Sequence, residues 1–118
     1  FIMTIRYKNQ GFKQADTNLN TVLTCPTDAT LIVKSIYCSN NDASSAIQVN
    51  ASLVDTSASS VEYEFFRDDL AAKSQVNASP QGVNLEAGDL IKIQAATGSN
   101  KIQGVISYAL IDRSQENG

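Results

Sequence analysis

Histidine and tryptophan are missing from this 118-residue chain, cysteine occurs twice, methionine once, and charged residues make up only 18%. Each shortage excludes something. Without histidine the chain lacks the commonest general base and the commonest metal ligand, and no conventional Ser-His-Asp triad can be assembled. Cys25 and Cys38 form no Cys-x-x-Cys pair, and two thiols fall short of the four ligands a structural zinc site wants. They read as small buried hydrophobes, although a disulfide closing the 14-residue loop between them is geometrically possible. With 9 basic against 12 acidic side chains the formal net charge is −3, so there is no cationic surplus to displace counterions from a nucleic acid. No run approaches the roughly 18 apolar residues of a membrane span. Arg6 and Lys8 fall where a secretory signal needs its apolar centre. Aromatic residues are 7%, too sparse for the exposed ring platforms on which carbohydrate-binding modules stack sugars. No cofactor and no catalysis are expected from residue chemistry of this kind.

What the chain does have is uncharged polarity. Serine (13), asparagine (10), glutamine (8) and threonine (8) together make up about a third of it. Helical bundles carry more Glu, Lys, Leu and Arg on their solvent faces. Ser, Thr and Asn interleaved with Val and Ile suit half-exposed strands and tight turns. At roughly 100–200 residues per domain there is room for one domain, and a chain of this length folds without metal or disulfide staples.

Alternation with period two is the dominant pattern. Ile47, Val49, Ala51 and Leu53 alternate with Gln48, Asn50 and Ser52, which predicts a strand with one buried face. Val61, Tyr63 and Phe65 alternate with Glu62 and Glu64 in the same way, and Ile91, Ile93 and Ala95 oppose Lys92 and Gln94. The longest run joins Ile102, Gly104, Ile106, Tyr108 and Leu110, and predicts a central strand. Leu31 to Cys38 is apolar on both faces apart from Lys34 and Ser35, so it is expected to be central, covered on both sides or slightly bulged. Turn clusters rich in Asn, Asp, Gly and Ser separate these runs. About eight strands are expected: near 3–8, 19–25, 30–39, 46–55, 60–67, either 75–79 or 82–85, 90–96 and 102–112. That spacing predicts an all-β, antiparallel, jelly-roll-like sandwich. The domain plan is an N-terminal arm over residues 1–18, a sandwich over 19–113 and a C-terminal tail over 114–118. The short helical pattern from Arg67 to Ser74 cannot stand alone and is read as a loop or single turn.

Four local patterns bear on function. Glu62, Glu64, Asp68 and Asp69 concentrate negative charge. Paired carboxylates serve glycosidases and Asp-rich loops bind calcium, but Glu62 and Glu64 share one strand face and no DxDxDG spacing exists, which favours a solvated sheet face. Gly88-Asp89, within Leu85-Glu86-Ala87-Gly88-Asp89-Leu90-Ile91, reads as a tight turn in which glycine takes positive φ and the aspartate bonds back to its own main chain. A comparable turn precedes a metal-binding histidine in cupin enzymes, and no histidine follows here. Gly98-Ser99-Asn100-Lys101 lacks the ending of a phosphate-binding loop and reads as a hairpin turn. Tyr7 and Phe12 are the aromatics expected outside the sandwich core. With Lys13 they form the candidate partner interface, either anchoring a partner by aromatic burial or packing the arm onto its own domain.

The run Thr21-Val22-Leu23-Thr24-Cys25-Pro26 followed by Ala29-Thr30-Leu31-Ile32-Val33-Lys34-Ser35-Ile36-Tyr37-Cys38-Ser39-Asn40 resembles a group of small virion proteins of tailed bacteriophages. The likeness continues through Val83-Asn84-Leu85-Glu86-Ala87-Gly88-Asp89-Leu90-Ile91-Lys92-Ile93-Gln94-Ala95 and Gly104-Val105-Ile106-Ser107-Tyr108-Ala109-Leu110-Ile111, in the same order over residues 19 to 111. It implies a capsid decoration (cement) protein, or an accessory protein of the neck, tail or head fibre, and it carries no catalytic residues to transfer. The expected partner is the major capsid protein or another virion protein. The expected assembly is a homotrimer near three-fold or quasi-three-fold axes with the arm reaching the shell or a neighbour, and the expected location is the virion, assembled in host cytoplasm, with neither nucleic acid nor membrane as a partner. A sugar-binding or receptor-binding sandwich is the rival class.

Overall fold

Alternating sequences favour strands, and the computed structural model, described over residues 4–112, contains nine of them. They are β1 (Thr4–Lys13), β2 (Asn20–Thr24), β3 (Ala29–Asn40), β4 (Ile47–Asp55), β5 (Val61–Leu70), β6 (Gln75–Asn77), β7 (Val83–Leu85), β8 (Leu90–Ala95) and β9 (Ile102–Asp112). The segment read as the arm contains β1. The tail at 114–118 lies outside the described residues, as do residues 1–3 and Arg113.

All pairings are antiparallel and fall into two sheets. The first runs β1-β9-β3-β6, with β7 also against β3; the second runs β2-β8-β4-β5. Strands β6 and β7 pair with the two ends of β3, at Tyr37–Ser39 and Leu31–Val33 respectively. Counted as one interrupted strand, they give the strand order of a jelly roll. The expected choice between 75–79 and 82–85 is thus settled as one short strand in each place. The interruption faces a bulge in β3 between Val33 and Ser35, and Gly82 turns there at positive φ, where a side chain would press on the Val33 carbonyl.

The two inner faces interdigitate as an aliphatic core. From the first sheet come Leu31, Val33, Ile36, Leu85, Ile102 and Ile106; from the second come Ile47, Val49, Ala51, Ile91 and Ile93. Gly104 is required in this layer, because a side chain on it would collide with the Tyr37 carbonyl and the Phe12 ring.

Buried polar side chains fasten the margins. Gln14 reaches from the end of β1 to the second sheet, where its Nε2 donates to the Ile93 carbonyl at 2.9 Å. Asn40, at the end of β3, donates through Nδ2 to the carbonyls of Leu70 and Ser45, each at 2.9 Å, and accepts from Asp42 N–H through Oδ1. Asp89 behaves as its turn predicts and does more. Its Oδ2 accepts from Glu86 N–H at 3.0 Å, while Oδ1 accepts from the Thr56 N–H and hydroxyl across the molecule. Gly88, at positive φ, donates its N–H to the Cys25 carbonyl.

Three local readings are corrected. Gly98 to Lys101 is no hairpin: β8 and β9 belong to different sheets, so the segment arches between layers. It docks on the chain after β1 through Ser99 N–H to Ala15 and Asn100 N–H to Gln14. Val61, Tyr63 and Phe65 do not form a buried face; all three are exposed. The reason is coverage. Because β1 approaches β2 across the gap, the β5 margin faces β6 and β7, whose three residues each cannot cover ten. The pattern from Arg67 continues β5 to Leu70 before a turn at Ala71–Ser74, closed by Ser74 N–H and hydroxyl on the Ala71 carbonyl.

Replacing Asp89 with alanine strands N–H groups of Thr56 and Glu86 in partly buried surroundings. The expected loss is about 1–3 kcal/mol, seen as a lower urea midpoint at unchanged m-value; an unshifted midpoint contradicts the role assigned to this carboxylate.

Candidate interaction surface

The outer face of the first sheet follows from its register. Side chains opposite one another on neighbouring strands share a face, so Tyr7, Ala109 and Ile32 form one row across β1, β9 and β3, with Ile5 and Ile111 in the row beside it. A polar row of Asn9, Ser107 and Ser35 comes next, then Gly11, Val105 and Tyr37. Five apolar side chains in these rows are open to solvent. Tyr7 is 76% exposed, Ile5 54%, Tyr37 53%, Val105 45% and Ile32 40%. Scattered exposed hydrophobes are ordinary, but a patch built from three adjacent strands is a candidate interaction surface. Lys34, the residue pushed out by the β3 bulge, places Nζ 5.1 Å from the Tyr7 ring centroid, a cation–π contact that holds the ring on the patch.

The three residues singled out in the arm separate here. Tyr7 stands on the outer face and Lys13 is exposed at the end of the same strand. Phe12 turns the other way, packing partly buried against the core over Gly104. Sequence reasoning missed Ile32, Tyr37 and Val105. The available signal was the doubly apolar run of β3, where one apolar set serves the core and the other remains outside.

The acidic cluster lies along β5. Glu64 and Arg67 are brought onto one face by a bulge opposite Ala51/Ser52. The guanidinium grips the carboxylate with Nη2 to Oε1 at 2.6 Å and Nε to Oε2 at 3.0 Å, while Nη1 donates to Gln48. This donation holds the Glu64 carboxyl below its ordinary range and the Arg67 guanidinium above its own. A carboxylate spent on such a pair is poorly suited to moving protons. No group of three or more His, Cys, Asp or Glu side chains among the described residues is arranged to hold a metal ion. No helix among them is long and apolar enough to cross a membrane. Two asparagines are absorbed by the framework: Asn50 is buried, and Asn77 Oδ1 accepts from Ile36 N–H and Ser79 N–H.

No family model matches the sequence, and no curated protein matches it. The likeness is in the fold. The chain superposes on the capsid structure of Helicobacter pylori bacteriophage KHP30 with a TM-score of 0.59 at 14% identity, covering 96% of this chain and 95% of that one. A Bacillus endospore appendage, one of a family of disulfide-linked pili, gives 0.51 at 10% identity over 96% and 91%. The virus-like particle of the extra small virus of the prawn Macrobrachium rosenbergii gives 0.50 at 12% identity over 96% and 81%. At these identities what is shared is the antiparallel sandwich fold.

Both cysteines are free and buried. Cys38 is fully enclosed, and burial pushes its thiol up to about 12. Cys25 is raised as well, chiefly by burial, with its Sγ directed at the carbonyls of Ala29 and Leu85. A thiol pKa raised by folding favours the neutral form in the native state. Its stabilisation is therefore complete below the unfolded value near 9 and is lost as pH rises from there toward 12. Stability is expected to fall by about 1.4 kcal/mol per pH unit in that window on account of Cys38. Urea titrations of the wild type and Cys38→Ala at stepped alkaline pH measure it: the variant should show a shallower decline, and parallel declines refute the burial argument.

Proposed function

We propose that this chain is a structural protein of a virion, and specifically a capsid decoration (cement) protein that binds and stabilises a phage shell through the outer face of its first sheet. The observation that carries the reading is that face: Ile5, Tyr7, Ile32, Tyr37 and Val105 exposed together on three adjacent strands. Attachment to a shell by shape needs no cofactor. It needs a rigid framework, which the sandwich supplies, and buried aromatic anchors ringed by polar groups, which Tyr7 and Tyr37 among Asn9, Ser35 and Ser107 supply. Capsid proteins among the structures of like fold support this reading, as does the resemblance of residues 19 to 111 to small phage virion proteins. The proposed partner is the major capsid protein, the assembly a homotrimer at three-fold positions, and the location the virion.

A neck, tail or fibre position is the nearest alternative, and copy number per particle distinguishes it: hundreds fit a shell, a dozen or fewer fit a neck or tail. A glycan array distinguishes the sugar-binding reading, since a cement protein should be silent on it. Substituting Tyr37→Ser together with Val105→Ser should leave the sandwich folded, as both side chains lie outside its core. It should weaken binding to undecorated shells by tenfold or more, the scale of a lost aromatic anchor. Co-sedimentation with shells measures this; wild-type affinity in the double variant, or no binding by the wild type, overturns the proposal.

A further inference from the structure

The two longest edge strands of this molecule are both left open, and they carry opposite charge. Strand β1 ends the first sheet and β5 ends the second, on opposite margins of the sandwich. Each is ten residues long and exposed over nearly its whole length on both faces. Open edges of this length invite pairing with another chain, and proteins usually shorten, cover or bend them. In β1 the charges are Arg6, Lys8 and Lys13 with no acid. In β5 they are Glu62, Glu64, Asp68 and Asp69 with the single base Arg67. The sums are +3 and −3, from the residues of those two strands alone.

Several of these charges have no ion-pair partner among the described residues. Arg67 is taken by Glu64 and Arg6 lies 3.9 Å from Asp112, but among the described residues Lys8, Lys13, Glu62 and Asp69 form no ion pair. Exposed apolar side chains accompany them on both edges: Ile5 and Tyr7 on β1, Val61, Tyr63 and Phe65 on β5. We infer that β1 of one copy docks against β5 of a second copy, so that the chain self-associates head to tail. The charge pattern selects that combination. Two β1 edges would oppose lysines to lysines and two β5 edges would oppose carboxylates to carboxylates, whereas β1 against β5 joins unlike charges. A contact between unlike surfaces closes into a ring when its rotation permits and otherwise runs on as a filament. The inference does not depend on shell attachment, which uses the outer face of the first sheet: a chain that self-associates but ignores shells would keep this inference and lose the proposed function.

The test begins with the unaltered protein. A zero-length carbodiimide cross-linker, read by mass spectrometry, should join Lys8 or Lys13 to Glu62 or Asp69. The two strands occupy opposite margins, so such links can arise only between copies. Sedimentation velocity should show assemblies larger than a monomer at low salt that dissociate near 1 M, where screening is complete within a few ångströms. Lys8→Glu with Lys13→Glu, and separately Glu62→Lys with Asp69→Lys, should each weaken association at least tenfold with melting curves that still show a folded sandwich. An equimolar mixture of the two variants should associate again, with the two variants alternating and any closed ring even-numbered, and a chain carrying all four substitutions, whose edges then sum to −1 and +1, should regain self-association. A monomeric wild type, cross-links confined to other residue pairs, or assembly indifferent to these charges overturns the inference.

Discussion

Mutual coverage of two sheets of unequal outline governs this molecule. Each sheet must bury one face, and the only cover available is the inner face of the other. Over the middle strands, β9 and β3 against β8 and β4, coverage is complete, and Ile36, Ile106, Val49, Ile91 and Ile93 are enclosed. At the margins it fails, because β1 and β5 have ten residues each while β2 has five and β6 and β7 have three. The long outer strands therefore stand free on both faces. Burial at about 25 cal/mol per Å² of apolar surface rewards the centre and leaves those flanks exposed.

Where aliphatic packing stops, polar side chains take over. Gln14 and Asn40 flank Ile102 at one end and link the layers by side-chain amides that donate to the carbonyls of Ile93 and Leu70. Asp89 links the loop after β4 to the turn before β8. These groups are buried, partnered and spread apart, which is the signature of structural satisfaction and differs from a reactive cleft, where titratable groups converge. The exposed face of the first sheet and the two charged edges are the surfaces that this packing leaves uncovered.

Much of this was legible in the chain. Period-two alternation in β4, β8 and β9 reported real inner faces, and the apolar density of β3 reported its bulge and its central place in the sheet, although its outer face is left uncovered. The Gly88-Asp89 turn was readable because one residue tolerates positive φ and the next accepts its neighbours' N–H groups. Other readings failed for identifiable reasons. Val61, Tyr63 and Phe65 alternate as a buried strand does, but the bulge opposite Ala51/Ser52 breaks the period at Phe65, so that Phe66 packs toward the core instead, and alternation carries no information on whether a face is covered. Gly98 to Lys101 has the residues of a tight turn, and turn chemistry is the same whether the chain doubles back in one sheet or crosses to another. Gln14 and Asn40 gave no local sign, because what makes them structural is a carbonyl many residues away.

The amino-acid sequence by itself determined the all-β class, the strand positions, the turns and the lack of histidine-dependent chemistry, because side-chain period, turn propensity and residue inventory are local properties. The tertiary structure alone decided which strands became edges, which apolar faces stayed uncovered and that opposite charges came to line opposite margins, because coverage depends on the relative lengths of strands far apart in the chain.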